Sequence, residues 1–151
     1  MSRGRLILKH IATLGPVGYL PVAPGTWGSV AGAVFILLVP LPPAVHLLLI
    51  LAGFIIGSVA SGAAERVTGE QDSGHIIIDE FVGMLVSALF LPRGMAWVLS
   101  AFFLFRVLDI LKPFPIRQVE ASLKGGIGIM TDDILAGIGA NLVLQLWKTI
   151  F

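Results

Sequence analysis

The chain has 151 residues, of which 56% are hydrophobic and 13% charged, with a mean hydropathy of +0.96. Soluble domains average roughly 45–50% apolar and about 25% charged residues, so a soluble globule of this size is excluded for want of a polar shell and the apolar surplus must face lipid. The formal charge of +1 gives no ground for a nucleic-acid partner, and the absence of cysteine removes thiol nucleophiles, disulfides and thiolate zinc sites.

Near the N-terminus Arg3, Arg5 and Lys9 are followed by Gly15, Pro16, Gly18, Pro21, Pro24 and Gly25. No apolar run of about 7–15 residues follows those charges, so no cleaved targeting segment is expected. Pro24-Gly25-Thr26 and Gly28-Ser29 then lead into the first apolar segment. Free N–H groups and hydroxyls at a helix start suit a phosphate, while capping by Thr26 accounts for the pattern equally well.

Five apolar segments are expected, at about 27–39, 44–64, 76–91, 95–111 and 134–151. Only the second and fifth approach the roughly 20 residues that a bilayer core asks of a helix. Pro40, Pro42 and Pro43 stop the first early, which makes it re-entrant or tilted. The expected fold is an all-α, polytopic membrane bundle of about five apolar helices forming one domain over residues 1–151. Alternating spans put Arg3, Arg5, Lys9, Arg66, Lys112, Arg117 and Lys124 on one side, with Arg93 and Lys148 on the other. The positive-inside rule makes the first side, and the N-terminus, cytoplasmic.

The polar stretch 65–75 leads into Asp79-Glu80, two acids in the first turn of an apolar helix. Acids there are favoured by the helix dipole by about 0.3–1 kcal/mol, so caps and cation ligands both stand as readings. Ionisable groups at membrane depth need a partner, and a cation is the natural one. Asp72 reads as a turn acid, a further ligand or a general base. Arg106, Asp109 and Lys112 are three apart and share one helix face, either as a self-neutralising triad or as a clamp for phosphoryl oxygens. Pro113 should end that helix. Asp132-Asp133 is expected to open the last helix, with Ala136-Gly137 one turn in, as Gly83 sits one turn beyond Asp79. Small residues at that spacing let helices approach closely. Four carboxylates would then converge, and oxygen-only ligands favour magnesium or manganese over zinc.

Together these motifs resemble the phosphatidylglycerophosphatase A family of bacterial membrane phosphatases. The matching residues are Pro24-Gly25-Thr26 with Gly28-Ser29, Asp72 with Ile76-Ile77-Ile78-Asp79-Glu80 and Gly83, Phe105-Arg106 with Asp109 and Lys112-Pro113-Phe114-Pro115, and Gly128-Ile129-Met130 with Asp132-Asp133 and Ala136-Gly137. Two positions depart from the pattern: Ser73 stands where proline is frequent, and segment 118–123 lacks an expected aspartate, with Glu120 as a stand-in. The resemblance implies magnesium-dependent hydrolysis of phosphatidylglycerophosphate to phosphatidylglycerol and phosphate, at the cytoplasmic face of the inner membrane.

On this reading Asp79, Glu80, Asp132 and Asp133 hold magnesium, with manganese as a substitute. Arg106 and Lys112 bind the substrate phosphate together with Thr26 and Ser29. Asp72, Asp79, Asp109 and Asp133 carry the catalysis, with Asp72 or Asp109 taking the proton of an attacking water. Two rivals remain: a cation transporter or channel component, which predicts acids spread through the bilayer depth, and another metal-dependent enzyme of phospholipid headgroups.

Overall fold

A computed structural model describes residues 3–151, and over them the chain is all-α. Seven helices follow in order: α1 Arg3–Ala12, α2 Pro24–Leu38, α3 Pro43–Thr68, α4 Ile78–Ser87, α5 Met95–Leu111, α6 Ile116–Ser122 and α7 Gly125–Ile150, with one 3-10 turn at Val17–Tyr19. Prolines open α2 and α3, where a missing N–H costs nothing. α3 ends on Gly69 in the left-handed region. α5 ends on Lys112, directly before Pro113.

α3 and α7, at 26 residues each, are long and apolar enough to cross a membrane. Each is about 39 Å long, against a hydrocarbon core of about 30 Å. Their outer faces carry Leu48, Ile55, Val59, Leu142, Leu146 and Ile150, all more than half exposed. Phe103 and Ile110 extend the same apolar surface over α5. An apolar exposure this continuous is what lipid, rather than water, tolerates.

The helices α2, α3, α4, α5 and α7 run alternately between two ends of the bundle. At one end Arg93 donates to the Leu41 carbonyl and Lys148 Nζ donates to the Phe90 carbonyl at 3.2 Å. The other end gathers Ser29, Glu80, Arg106 and Asp133, and with them every acidic residue of the chain.

α4 is the hub, packed by α2, α3, α5 and α7. Glycines set how near its neighbours come. A Cβ at Gly28 would lie 2.7 Å from the Ile77 carbonyl oxygen, and one at Gly137 would lie 2.5 Å from that of Gly83. With ten residues α4 is only about 15 Å long, half the depth of a bilayer core. Its C-terminal carbonyls therefore need partners inside the protein. α7 supplies them: Asn141 Nδ2 donates to the Ser87 and Leu89 carbonyls at 3.1 and 2.7 Å, and Gln145 Nε2 donates to Leu89 at 3.0 Å.

Three expectations need correction. The third apolar segment, read as 76–91, is helical only over Ile78–Ser87 and breaks into turns through Phe90, which has φ 61°. The last helix starts at Gly125, so Asp132-Asp133 lies two turns inside it, and Thr131 donates to the Ile127 carbonyl at 2.6 Å in place of capping. Its early glycines serve packing: a Cβ at Gly126 would overlap the Ser58 carbonyl of α3. Finally, α1 and α6 were not foreseen among the apolar segments. α1 is amphipathic and short, and α6 carries only seven residues after Pro113 and Pro115.

Candidate active site

The site lies where α2, α4, α5 and α7 meet at the acidic end. Asp79 and Glu80 enter from the first turn of α4, and Asp133 faces them from α7. One carboxylate oxygen from each of the three lies within 4.8 Å of the others. Gly83 and Gly137 permit this convergence, because a side chain at either would push α4 and α7 apart. Asp79 Oδ1, Glu80 Oε2 and Asp133 Oδ2 are buried and have no hydrogen-bond partner. Buried carboxylate oxygens left bare are expensive, and three of them in one place make the arrangement that a hard cation relieves.

Asp132 does not join this cluster, so the expected four carboxylates become three and one. Neighbouring residues on an α-helix point about 100° apart, and Asp132 turns instead to Lys112, whose Nζ donates to Oδ2 at 2.7 Å. The same ammonium donates to Glu120 of α6 at 2.5 Å. Glu120 is thus the acid that segment 118–123 brings toward the site, by way of Lys112. Burial works against the Lys112 charge, but its hydrogen bonds and attraction to Asp132 and Glu120 prevail, and the ammonium is held above the ordinary lysine range.

Arg106 lies between the two groups. Its Nη1 donates to Asp109 Oδ2 at 2.5 Å and stands 3.8 Å from Glu80 and 3.5 Å from the Ser29 hydroxyl. Asp109 therefore orients the guanidinium one turn away, as the three-residue spacing anticipated. Ser29 is fully buried and donates to the Gly25 carbonyl at 3.0 Å, so it supports Arg106 and has no free face toward an open cleft. Thr26 sits inside the first turn of α2, whose N-cap is Ala23, so it does not cap the helix as the sequence allowed. Gly25 brings that turn against Glu80, whose Oε1 would overlap a Cβ there.

Asp72 stands at the rim of a cleft of about 260 Å³ shared with Glu65, Glu120, Lys124 and Asp132. Its N–H donates to Glu65 Oε1 at 2.9 Å. Desolvation in the cleft raises the Asp72 carboxyl above the usual range, with Glu120, Glu65 and Asp109 adding to it and Lys112 opposing. Asp72, Val22, Ala23 and Lys112 all have positive φ, so left-handed non-glycine backbone concentrates at this end, as strain does at functional sites. Reading the sequence did not single out Glu65 or Lys124 as cleft residues. Their signal was their place at the ends of the segments flanking Asp72 and Asp132.

These features define a class: an α-helical enzyme of phosphate chemistry, with two apolar helices long enough to cross a membrane, whose acids and cations meet at one end of the bundle. The sequence profile described as phosphatidylglycerophosphatase A matches residues 10–148. A protein of Haemophilus influenzae named phosphatidylglycerophosphatase A is 41% identical, with 93% of this chain and 95% of the relative covered. One of the same name from Escherichia coli is 40% identical over 80% of this chain and 72% of its own. A Bacteroides thetaiotaomicron protein with the provisional name phosphatidylinositol-3-phosphatase is 38% identical, covering 97% and 96%. No solved structure matches the chain. The chain belongs to the phosphatidylglycerophosphatase A family and is a phosphoric monoester hydrolase with that family's activity.

Proposed function

We propose that the chain is a magnesium-dependent, multi-pass membrane phosphatase that hydrolyses phosphatidylglycerophosphate to phosphatidylglycerol and phosphate at the cytoplasmic face of a bacterial inner membrane. The observation that carries the metal reading is the convergence of the Asp79, Glu80 and Asp133 carboxylates beside a guanidinium, each with a buried oxygen that has no hydrogen-bond partner. Oxygen-only donors fit a hard divalent ion. Magnesium held there, with manganese able to replace it, supplies Lewis-acid polarisation of the phosphoryl group and neutralises its charge.

The remaining work falls to the chain's own side chains. Arg106, aimed by Asp109 and backed by Ser29, binds the phosphoryl oxygens and stabilises charge as the ester bond breaks. Asp132 is a positioning residue: with Glu120 it holds Lys112 charged at the mouth of the site. Thr26, in the first turn of α2, offers its hydroxyl to the same phosphate, its N–H being held by the Ala23 carbonyl at 2.9 Å. Asp72, at the rim of the cleft and more basic than an ordinary aspartate through desolvation, accepts the proton of the attacking water. An N-terminus in the cytoplasm fits the alternating helices and the basic residues at the acidic end. Acids gathered at one end favour an enzyme over an ion path.

The test is phosphate release from phosphatidylglycerophosphate in mixed micelles, with magnesium, manganese or chelator. Release that stops with chelator, and is lost in Asp79→Asn and Asp133→Asn, supports the reading. Undiminished release by either variant overturns the metal assignment.

A further inference from the structure

The 260 Å³ cleft beside Asp72 and Asp132 ends at Glu65, Lys124 and Gly125. A second groove of about 570 Å³ begins at the same three residues and descends the outer flank of the bundle between α3 and the start of α7, past Phe54, Ile55, Val59 and Ile127. Its wall is apolar. Its head carries Arg66 and Lys124, neither of which forms an ion pair among the described residues. The sill between the two clefts is Gly125, at φ +68°, where a Cβ would meet only Glu65 Oε2, at 3.8 Å.

We infer that this groove is the lane by which the lipid substrate enters sideways from the bilayer, with an acyl chain along α3, its diester phosphate on Arg66 and Lys124, and its terminal monoester reaching over Gly125 into the acidic cleft. The inference rests on the lipid-phosphatase reading above and names the residues that would select the substrate. Length supports it: from Phe54 to Arg66 the helix rises about 18 Å, close to the roughly 15 Å of one leaflet's hydrocarbon. Charge supports it as well. The cleft is lined by Glu65, Asp72, Glu120 and Asp132, so an anionic lipid needs unpaired cations at its mouth, and a two-phosphate lipid needs them one glycerol unit away from the reacting phosphorus. The larger apolar groove between α5 and α7, lined by Trp97 and Trp147, carries no charged residue and no link to the site.

The test uses the full chain in mixed micelles with phosphatidylglycerophosphate of long or short acyl chains. Arg66→Gln with Lys124→Gln is expected to raise KM for the long-chain substrate about tenfold, the worth of a charge-assisted contact, with kcat within about twofold. Restoring Lys124 as Arg should recover most of the loss. Val59→Trp, or Ile55→Trp as a second filling of the groove, should raise KM for the long-chain lipid and leave the short-chain one unchanged. A magnesium-induced rise in melting temperature equal to the wild type's certifies each variant's fold. Unchanged KM in the double glutamine variant, a fall in kcat at constant KM, or equal effects of the tryptophan variants on both chain lengths overturns the lane. Wild-type protein that binds magnesium yet releases no phosphate from either lipid overturns the lipid-phosphatase reading itself, and the lane with it.

Discussion

Gly137→Ala tests whether close helix approach is what assembles the site. A methyl at position 137 would stand 2.5 Å from the Gly83 carbonyl oxygen and 3.0 and 3.2 Å from Val86 side-chain atoms, where ordinary contact begins at 3.4 Å. The nearest obstacle is backbone and cannot rotate away, so α4 and α7 must part by about 1 Å. Overpacking of this kind costs about 1–3 kcal/mol. For a chain of this length that is a melting temperature lower by about 2–10 °C. The same displacement carries Asp133 away from Asp79 and Glu80, and a misplacement of about 1 Å can cost roughly a hundredfold in rate. Thermal unfolding in detergent, with and without magnesium, and phosphate release from lipid micelles measure both. Gly139→Ala is the control on the same helix, because its Cβ would meet only the flexible end of Leu108, at 3.0 Å. If Gly137→Ala matched Gly139→Ala in melting temperature, magnesium response and rate, the claim that α4–α7 proximity builds the cluster would be wrong.

Further variants address separate parts of the site. Asp133→Asn should raise the melting temperature in chelator by relieving carboxylate repulsion, and should lose the stabilisation by magnesium, worth about 2.7 kcal/mol at a hundredfold excess over Kd; a chelator melting point below wild type would count against repulsion. Lys112→Met leaves Asp132, 8% exposed, without its cation, while Glu120, 41% exposed, is screened by water; the expected loss is about 2–3 kcal/mol, less than the 3–5 of a fully buried pair. Since Lys112 is held above its ordinary value of 10.5, its pairs act fully below that value and weaken only as pH rises through the higher folded one, so denaturant titrations should give the same loss from about pH 6 to about pH 9. Asn141→Leu strips donors from the Ser87 and Leu89 carbonyls and should cost about 1–3 kcal/mol and lower magnesium affinity with it; an unchanged affinity would separate the α4 terminus from the site.

Much of this was legible in the sequence, for reasons particular residues make plain. The surplus of apolar side chains returns as the exposed outer faces of α3 and α7, two helices long enough to cross a membrane, and Pro43 and Pro113 mark helix limits by chemistry no tertiary contact can override. The three-residue step from Arg106 to Asp109 places them one turn apart whatever the surroundings, and they do pair. Gly83 and Gly137 announce close packing by their spacing from the acids. The sequence misled where a residue's role depends on a partner far along the chain. The packing role of Gly126 and Gly128 shows only when Ser58 and the Leu123 carbonyl are seen against them. Asp132 looks identical to Asp133 until the helix phase turns one to Lys112 and the other to Asp79. Asn141, Gln145 and Lys148 pass for ordinary polar residues until α4 is found to stop short.

That short helix ties the fold to the chemistry. A full-length α4 would satisfy its own backbone across the bilayer and need nothing from α7. By stopping after ten residues, it leaves carbonyls at its inner end that only α7 can reach, and Asn141, Gln145 and Lys148 fix α7 at that point. Gly83 and Gly137 then fix the same two helices nearer the acidic end. Two points of attachment determine both spacing and rotation, so Asp133 meets Asp79 and Glu80 on one side while Asp132 meets Lys112 on the other. An apolar bilayer offers no hydrophobic force to hold two helices in register. The polar ladder and the glycine contact do so instead, and loosening either should be felt first at the three carboxylates.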